Sequence, residues 1–432
     1  MAITKRGLIL GATALASAAL VITGAGIHLS VGQAFFKESP KELIDEVWQL
    51  IDHEYVDDSF NSLDWNNVRT DYLNRTYTDQ EEAYVAVREM LEQLEDPYTR
   101  FMDPEEFRNM QIDTSGELTG VGIQISQEEE TNEIVVVSPI EQTPAYEAGL
   151  LSGDVITQID GQSTEGMELS DAVSLIRGPI GSSVTLSISR ENEPLEFELT
   201  RARIEIHPVR YSVETGPEGT VGYIRLTQFS ANAAAEMKDA IEALEERNVT
   251  GYVLDLRSNP GGLLFSSIDI AQMWIEEGTI VSTVDRNSIS DEEVANNRAL
   301  TDQPLVVLVD GGSASASEIL SGALQDNNRA VLVGTQTFGK GLVQSVRGLA
   351  DGSGVAVTIA KYLTPSGRDI NKLGIAPDYV VELTDEQRDL LAEDRDKVGT
   401  LDDPQYAKAI EVLADTIRGQ RQSASAAGVD RY

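Results

Sequence analysis

Residues 304–324, PLVVLVDGGSASASEILSGAL, decide the fold. Five apolar residues in a row, Leu305 to Val309, read as a strand covered on both faces. Asp310-Gly311-Gly312 ends the run, and a helix opens within the serine cluster Ser313, Ser315, Ser317. A buried strand feeding a helix through a tight bend is the unit of a layered α/β core. A serine at such a junction meets N–H groups and the helix dipole, which favour developing negative charge. Ser315 and Glu318 also have the spacing of a capping box, S-x-x-E, which alone accounts for both residues. On local grounds Ser313 and Ser317 are equally good hydroxyls.

Working outward, the unit recurs. GYIRLTQF (222–229) leads into a helix expected from about Ala231 to Arg247. GYVLDLRSNPGG (251–262) leads into one near Leu264–Trp274, and the serine run opens one near Ala316–Gln325. AVLVGT (330–335) and GVAVTIAKYLTPSG (354–367) follow, so residues 204–400 read as an α/β core. Residues 116–203 have another period: short alternating runs such as GVGIQI, EIVVVS, DVITQID and SVTLSIS, with helical pieces near Pro144–Ala148 and Leu169–Ile176. Residues 35–115 read as a small helical domain. Leu43, Ile44, Val47, Trp48 and Ile51 have helical spacing behind Ser39-Pro40, and Thr78 is the expected cap of a second helix. Residues 401–432 hold a helix over Asp403–Ile417 and, from Arg418 onward, an expected loose tail.

The N terminus reads as a targeting segment. Lys5-Arg6 precedes an uncharged run from Gly7 to Gly26, close to the roughly 20 residues that span a bilayer. Small residues near Val31–Ala34 would permit cleavage, so a signal peptide and an anchor both stay open over residues 1–34. Either way, the positive-inside bias places the body across the membrane from the cytosol.

Composition removes several classes of chemistry. The 432 residues carry 33 Lys plus Arg against 72 Asp plus Glu, a net charge of −39, which argues against binding to nucleic acid. There is no cysteine, hence no disulfide, thiol nucleophile or thiolate metal site. The three histidines, His28, His53 and His207, are far apart, so a His-rich zinc site and a Ser-His-Asp triad are both disfavoured.

A serine nucleophile still needs a base. Lys340, set between glycines in VLVGTQTFGKGLVQS (331–345), becomes one if burial lowers its pKa, and Gln344 would orient its amine. The competing reading is a solvated loop charge. Gly334 to Lys340 also spells G-x-x-x-x-G-K, most of a phosphate-binding loop, but Gly341 stands where Ser or Thr must reach magnesium. A nucleotide is therefore not expected, and Asp255 or Asp310 would have to serve as its acidic partner. Asn259-Pro260-Gly261-Gly262 is a bend whose N–H groups would suit an oxyanion or simply a helix start.

Together and in this order, DPYTRFMDPEEF (96–107), TGVGIQI (119–125), SPIEQTPAYEAGLLSGDVITQIDG (138–161), DLRSNPGG (255–262), SASASE (313–318), TFGKGLVQ (337–344) and YLTPSGR (362–368) resemble the carboxyl-terminal processing, or tail-specific, proteases. The likeness is strongest to the cyanobacterial and chloroplast branch that trims the photosystem II D1 precursor, and it runs from about Glu38 to Leu383. Gly312-Ser313 stands where many relatives have Gly-Thr. The resemblance implies an α+β multidomain fold, with a layered α/β serine protease core of the ClpP/crotonase-like type, an N-terminal helical domain and an inserted PDZ domain.

The resemblance further implies Ser315 as nucleophile, Lys340 as general base, Gln344 as the residue orienting it, Gly261 and Ala316 as oxyanion donors, and Glu318 as an acidic neighbour. Gly120, Val121, Gly122 and Ile123 would form a carboxylate-binding loop and strand, with the helix near Leu169–Ile176 as the other wall of a peptide groove. Arg177 would touch the catalytic core in a regulatory switch. The implied partners are C-terminal tails of exported or membrane proteins. No metal, cofactor, nucleotide or nucleic acid is implied, and the leader would supply any membrane association, on the periplasmic or thylakoid-lumenal side. The alternative is a PDZ-based peptide-binding or chaperone-like protein with an inactive core, which the presence of both Ser315 and Lys340 disfavours.

Overall fold

The run Leu305–Val309 is a strand with all five residues buried. Its side chains alternate between two cores, which is why it is apolar throughout. Leu305, Val307 and Val309 join a cluster with the helices Ala233–Glu246, Leu264–Trp274 and Ala316–Asp326. Val306 and Leu308 join Tyr406, Ala409, Ile410 and Leu413 of the helix Pro404–Val429. The computed structural model describes residues 39–128, 131–288 and 290–429. The leader, the apolar run 7–26 and His28 lie outside the described residues. Among the described residues, no helix is long and apolar enough to cross a membrane.

The strand sits inside a six-stranded sheet. Its order is Val209–Gly216, Gly219–Leu226, Gly251–Asp255, Leu305–Val309, Ala330–Gly334, Tyr379–Val380. The first two strands form an antiparallel hairpin, and every later pairing is parallel. Parallel strands end at one edge, so the loops after Asp255 and Val309 meet there. Helices on both faces make the expected layered core.

The run 354–367 departs from that simple alternation. Gly354–Leu363 is the centre of a second, antiparallel sheet, paired with Leu342–Gly348, Thr279–Asp285 and Arg100–Met102. The N-terminal helices Pro40–Glu54, Trp65–Asn74 and Gln80–Glu92 pack on this sheet, and one apolar cluster holds Leu43, Val47 and Met90 together with Val355 and Val357. Asp79, not Thr78, caps the helix from Gln80, accepting the Glu82 N–H at 3.0 Å. Thr78 lies one residue outside, where its own N–H donates to the Glu82 side chain.

Glu117–Gly120 enters the β-rich module and pairs antiparallel with Ala202–Glu205, which leaves it. Between them lies a sheet ordered Ile123–Gln127, Ile134–Pro139, Val155–Ile159, Ser183–Arg190, Glu193–Thr200, around its own apolar cluster. The helices Pro144–Ala148 and Leu169–Ile176 lie where the sequence places them.

The tail differs from expectation. Its helix continues past Ile417 to Val429. Arg418 and Arg421 both pair with Glu218, anchoring the first turns beyond Ile417, and no proline or helix-ending glycine motif interrupts the Gln-, Ser- and Ala-rich sequence.

Candidate active site

Burial separates the three serines. The Ser313 hydroxyl, fully buried, donates to the Leu256 carbonyl at 2.8 Å and accepts the Asp310 N–H at 3.0 Å. Ser317, equally buried, donates to the Asn259 carbonyl at 2.9 Å. Both hold the loop 256–259 against the helix start. Ser315 precedes the helix with φ 55° and ψ −113°, a conformation rarely adopted by a side-chain-bearing residue and costing on the order of 1–3 kcal/mol. The turn thereby presents Ser315 at the helix N-terminus, where none of the described hydrogen bonds claims the N–H of Ala316.

Glu318 does more than cap. Its carboxylate is fully buried and accepts four hydrogen bonds. Oε2 takes the N–H groups of Ser315 and Lys340, each at 2.9 Å. Oε1 takes the Thr337 hydroxyl at 2.6 Å and the Gly339 N–H at 2.8 Å. One carboxylate thus joins the serine turn to the lysine loop. Of the N–H groups in the 334–340 loop, those of Gly339 and Lys340 are occupied by it, and Asp255 is locked in an ion pair with Arg257 at 2.6 Å. After Gly341 the chain forms the strand Leu342–Gly348 rather than a helix. These facts give the nucleotide reading no support.

Lys340 is half-buried. Burial lowers its pKa and Arg100 lowers it further, with Asp96 and Glu318 acting in the opposite sense. Its amine rests over the Tyr98 ring, 4.9 Å from the centroid. None of the described hydrogen bonds joins it to the Ser315 hydroxyl or to Gln344, whose Nε2 faces Thr358 Oγ1 at 3.5 Å. The backbones of Ser315 and Lys340 are held together through Glu318. Tyr362, fully buried, sends its hydroxyl toward the carbonyls of both Ser315 and Lys340.

The loop after Asp255 supplies the opposite wall. Gly261 has φ +101°, and a Cβ there would lie 2.9 Å from the Ala316 nitrogen, so this glycine permits close approach to the serine turn. Its N–H, however, donates to Asn259 Oδ1 at 2.9 Å, so of the two expected oxyanion donors Ala316 alone is unengaged. Behind the loop, Arg257 joins Asp255 to Asp403, which precedes the last helix, at 2.6 and 2.7 Å. Burial would raise the Asp255 pKa, but Arg257 overrides it and holds the carboxyl below its ordinary range. His207 pairs with Glu236, and His53 lies in the first helix.

In the β-rich module, Ile123–Gln127 is an edge strand with one paired side. Gly122 has φ +81°, and its carbonyl accepts the Ile140 N–H at 2.8 Å. The Val121 carbonyl accepts from Ala145 at 2.9 Å, and Gly120 pairs with Ala202, so the loop is fixed from both sides. Arg177 departs from expectation. It donates to Asn109 Oδ1 at 2.7 Å, on the helix Pro104–Ser115, rather than to the catalytic core. The end of its own helix faces that element across a cleft that also holds Glu105 and Asp113.

Sequence reasoning gave no role to Thr337, Tyr362, Asn259 or Tyr98. Tyr98 stands in the quoted DPYTRF, and Thr337 and Tyr362 each open a quoted motif. The side-chain contacts described for them, the Asn259–Gly261 bond apart, reach residues 19 or more positions away in the chain.

A helix–sheet–helix core that holds a half-buried serine at a strained helix start, with a half-buried lysine in the neighbouring loop and, among the described residues, no histidine hydrogen-bonded to either, fits the class of serine-type peptidases. Comparison with known proteins agrees. The profile of peptidase family S41 matches residues 220–381, and a PDZ domain profile matches residues 135–190. The chain is 48% identical over 366 residues to a carboxyl-terminal-processing protease of Synechocystis sp., covering 84% of this chain and 86% of that one. It is 42% identical to the chloroplastic carboxyl-terminal-processing peptidase 2 of Arabidopsis thaliana, over 77% of this chain and 67% of the other. Among solved structures, the photosystem II D1 C-terminal processing protease superposes with a TM-score of 0.54 at 38% identity, over 80% of this chain and 94% of that one. The chain belongs to peptidase family S41, as a serine-type peptidase carrying a PDZ domain.

Proposed function

We propose that Ser315 and Lys340 form a dyad that hydrolyses peptide bonds near the C termini of exported or membrane proteins. The observation that carries the reading is Glu318, whose one buried carboxylate binds the backbone of both residues. Neutral Lys340 takes the Ser315 proton as Oγ bonds to the scissile carbonyl carbon. The resulting oxyanion lies against the Ala316 N–H, and the Gly261 N–H joins by exchanging its bond to Asn259. Lys340 returns the proton to the leaving amine as the C–N bond breaks. Water then hydrolyses the ester, with Lys340 again the base. Gln344 orients the lysine amine.

The PDZ domain supplies the tail. The Gly120–Ile123 loop takes the terminal carboxylate, and the tail adds as a strand beside Ile123–Gln127, with the helix Leu169–Ile176 as the other wall. In this reading the functional units are residues 35–115, 116–203, 204–400 and a C-terminal element from 401, behind a leader over 1–34. Lys5-Arg6 and the apolar run after them support export, to the periplasm or thylakoid lumen, with residues 7–26 as signal or anchor. The D1 precursor, named for the solved relative, is the natural first substrate.

The test is Lys340→Arg on a tailed protein substrate. Guanidinium stays protonated and cannot accept the serine proton. The reading predicts loss of at least about a hundredfold in kcat with the fold intact by circular dichroism. A variant keeping a tenth of wild-type kcat would show that Lys340 is not the base.

A further inference from the structure

Gln344 and Thr358 lie directly opposite on neighbouring antiparallel strands, and the register shifts at Val343/Gln344. A bulge of this kind re-aims a side chain. From the other edge of Gly354–Leu363, the strand Arg100–Met102 brings in the turn before it, Asp96-Pro97-Tyr98-Thr99. Asp96 Oδ1 accepts the Tyr98 N–H at 3.0 Å. Its Oδ2 accepts the hydroxyls of Thr99 and Thr358, each at 2.7 Å. The Thr358 N–H in turn donates to Thr99 Oγ1 at 3.0 Å. Thr99 and Thr358 are both buried.

An ionised carboxylate only accepts. The Thr358 proton is therefore committed to Asp96, and Thr358 shows Gln344 lone pairs alone. The NH2 end of the Gln344 amide must face Thr358, which leaves the carbonyl end to face the lysine. An amide reversed in place would set oxygen against oxygen at Thr358 and offer Lys340 a donor that a neutral amine can accept but an ammonium cannot.

We propose that Asp96 and Thr358 are positioning residues, which fix the Gln344 amide so that its oxygen receives the Lys340 amine. This rests on Lys340 being the base. The N-terminal segment is thereby part of the site: its Tyr98 carries the resting amine, and its Asp96 orients the partner the amine turns to.

The test uses the full chain and a tailed protein substrate. Thr358→Val keeps the shape and removes the hydroxyl, and it should lower kcat about tenfold or more with little change in KM. Thr358→Ser should stay within about threefold. Added to Gln344→Ala, Thr358→Val should cost nothing further, because its effect passes through Gln344. Asp96→Asn, at a half-exposed residue, is the second variant should Thr358→Val fail to fold. Asp96, Glu318, Arg100 and the Tyr98 ring are the groups facing Lys340, and Asp96 favours its charged form. Its neutralisation should lower kcat and also move the rising limb of the pH profile to lower pH, whereas simple loosening that admits water would move it up. Wild-type kcat in Thr358→Val or Gln344→Ala, full additivity in the double variant, or an upward pH shift in Asp96→Asn would overturn the proposal. Those outcomes with Lys340→Arg inactive would leave the dyad standing; an active Lys340→Arg would remove the dyad itself.

Discussion

Three serines lie within five residues, and the described hydrogen bonds occupy the hydroxyls of two of them. Ser313 and Ser317 are tied to carbonyls 57 and 58 residues earlier in the chain. No local pattern carries that information, so the sequence alone leaves them equal to Ser315 until a family likeness is invoked. The capping spacing of Ser315 and Glu318 is legible, but the four-fold use of the carboxylate is not, because Thr337, Gly339 and Lys340 reach it from another loop. Ser317→Ala should cost about 1 kcal/mol or more of stability and leave kcat within severalfold, since its hydroxyl only braces the loop. In the proposed dyad, the pH profile of kcat reports Lys340. Its pKa is lowered by burial first and Arg100 second, so the neutral base persists below the ordinary lysine value of 10.5. Activity should rise with pH along a limb whose midpoint lies below that value, and a midpoint at or above it would mean that the lysine is solvated in the working enzyme.

Elements were more legible than contacts. The buried strand Leu305–Val309 and the helix after it follow directly from an apolar run, a glycine bend and a cap signal. Gly354–Leu363 reads equally well as a strand, but its place in a second sheet depends on partners as remote as Arg100–Met102, which spacing cannot reveal. The last helix reads short in the sequence because polar Gln and Ser hide a continuing helix whose anchor, Glu218, lies some 200 residues away. At this scale the PDZ edge strand makes a prediction. Gly122 has φ +81°, and a Cβ would lie 2.3 Å from Thr143. Gly122→Val should distort the loop proposed to take the tail's carboxylate. Wild type should cleave a free-carboxylate peptide at least about tenfold more efficiently than its amidated form, since amidation removes the charge the N–H groups bind. In Gly122→Val the ratio of the two kcat/KM values should fall toward one. An equal preference in both proteins would remove the loop from tail recognition.

Across the whole molecule, parts distant in sequence converge on one edge of the parallel sheet. The N-terminal turn at Asp96 reaches the lysine. The C-terminal helix is tied to the loop after Asp255 through Arg257 and Asp403. Asp403→Ala would leave Arg257 half-paired in a buried site, and should cost about 3–5 kcal/mol while lowering kcat through the loop that carries Gly261. Denaturant titration with parallel kinetics checks this, and unchanged stability would mean that the helix is not part of the clamp. The sign for pH follows from Asp255. Its folded pKa is depressed, so its contribution is present above the unfolded value of 3.8 and is lost as pH falls through the lower folded value. The central claim is that this assembly cuts protein tails with Ser315, and intact-mass spectrometry tests it most directly. A folded substrate with an unstructured apolar C-terminal tail is incubated with the wild-type enzyme and with Ser315→Ala. The account predicts one product shortened from its C terminus with the wild type and none with Ser315→Ala; the same product at a comparable rate from Ser315→Ala would contradict it.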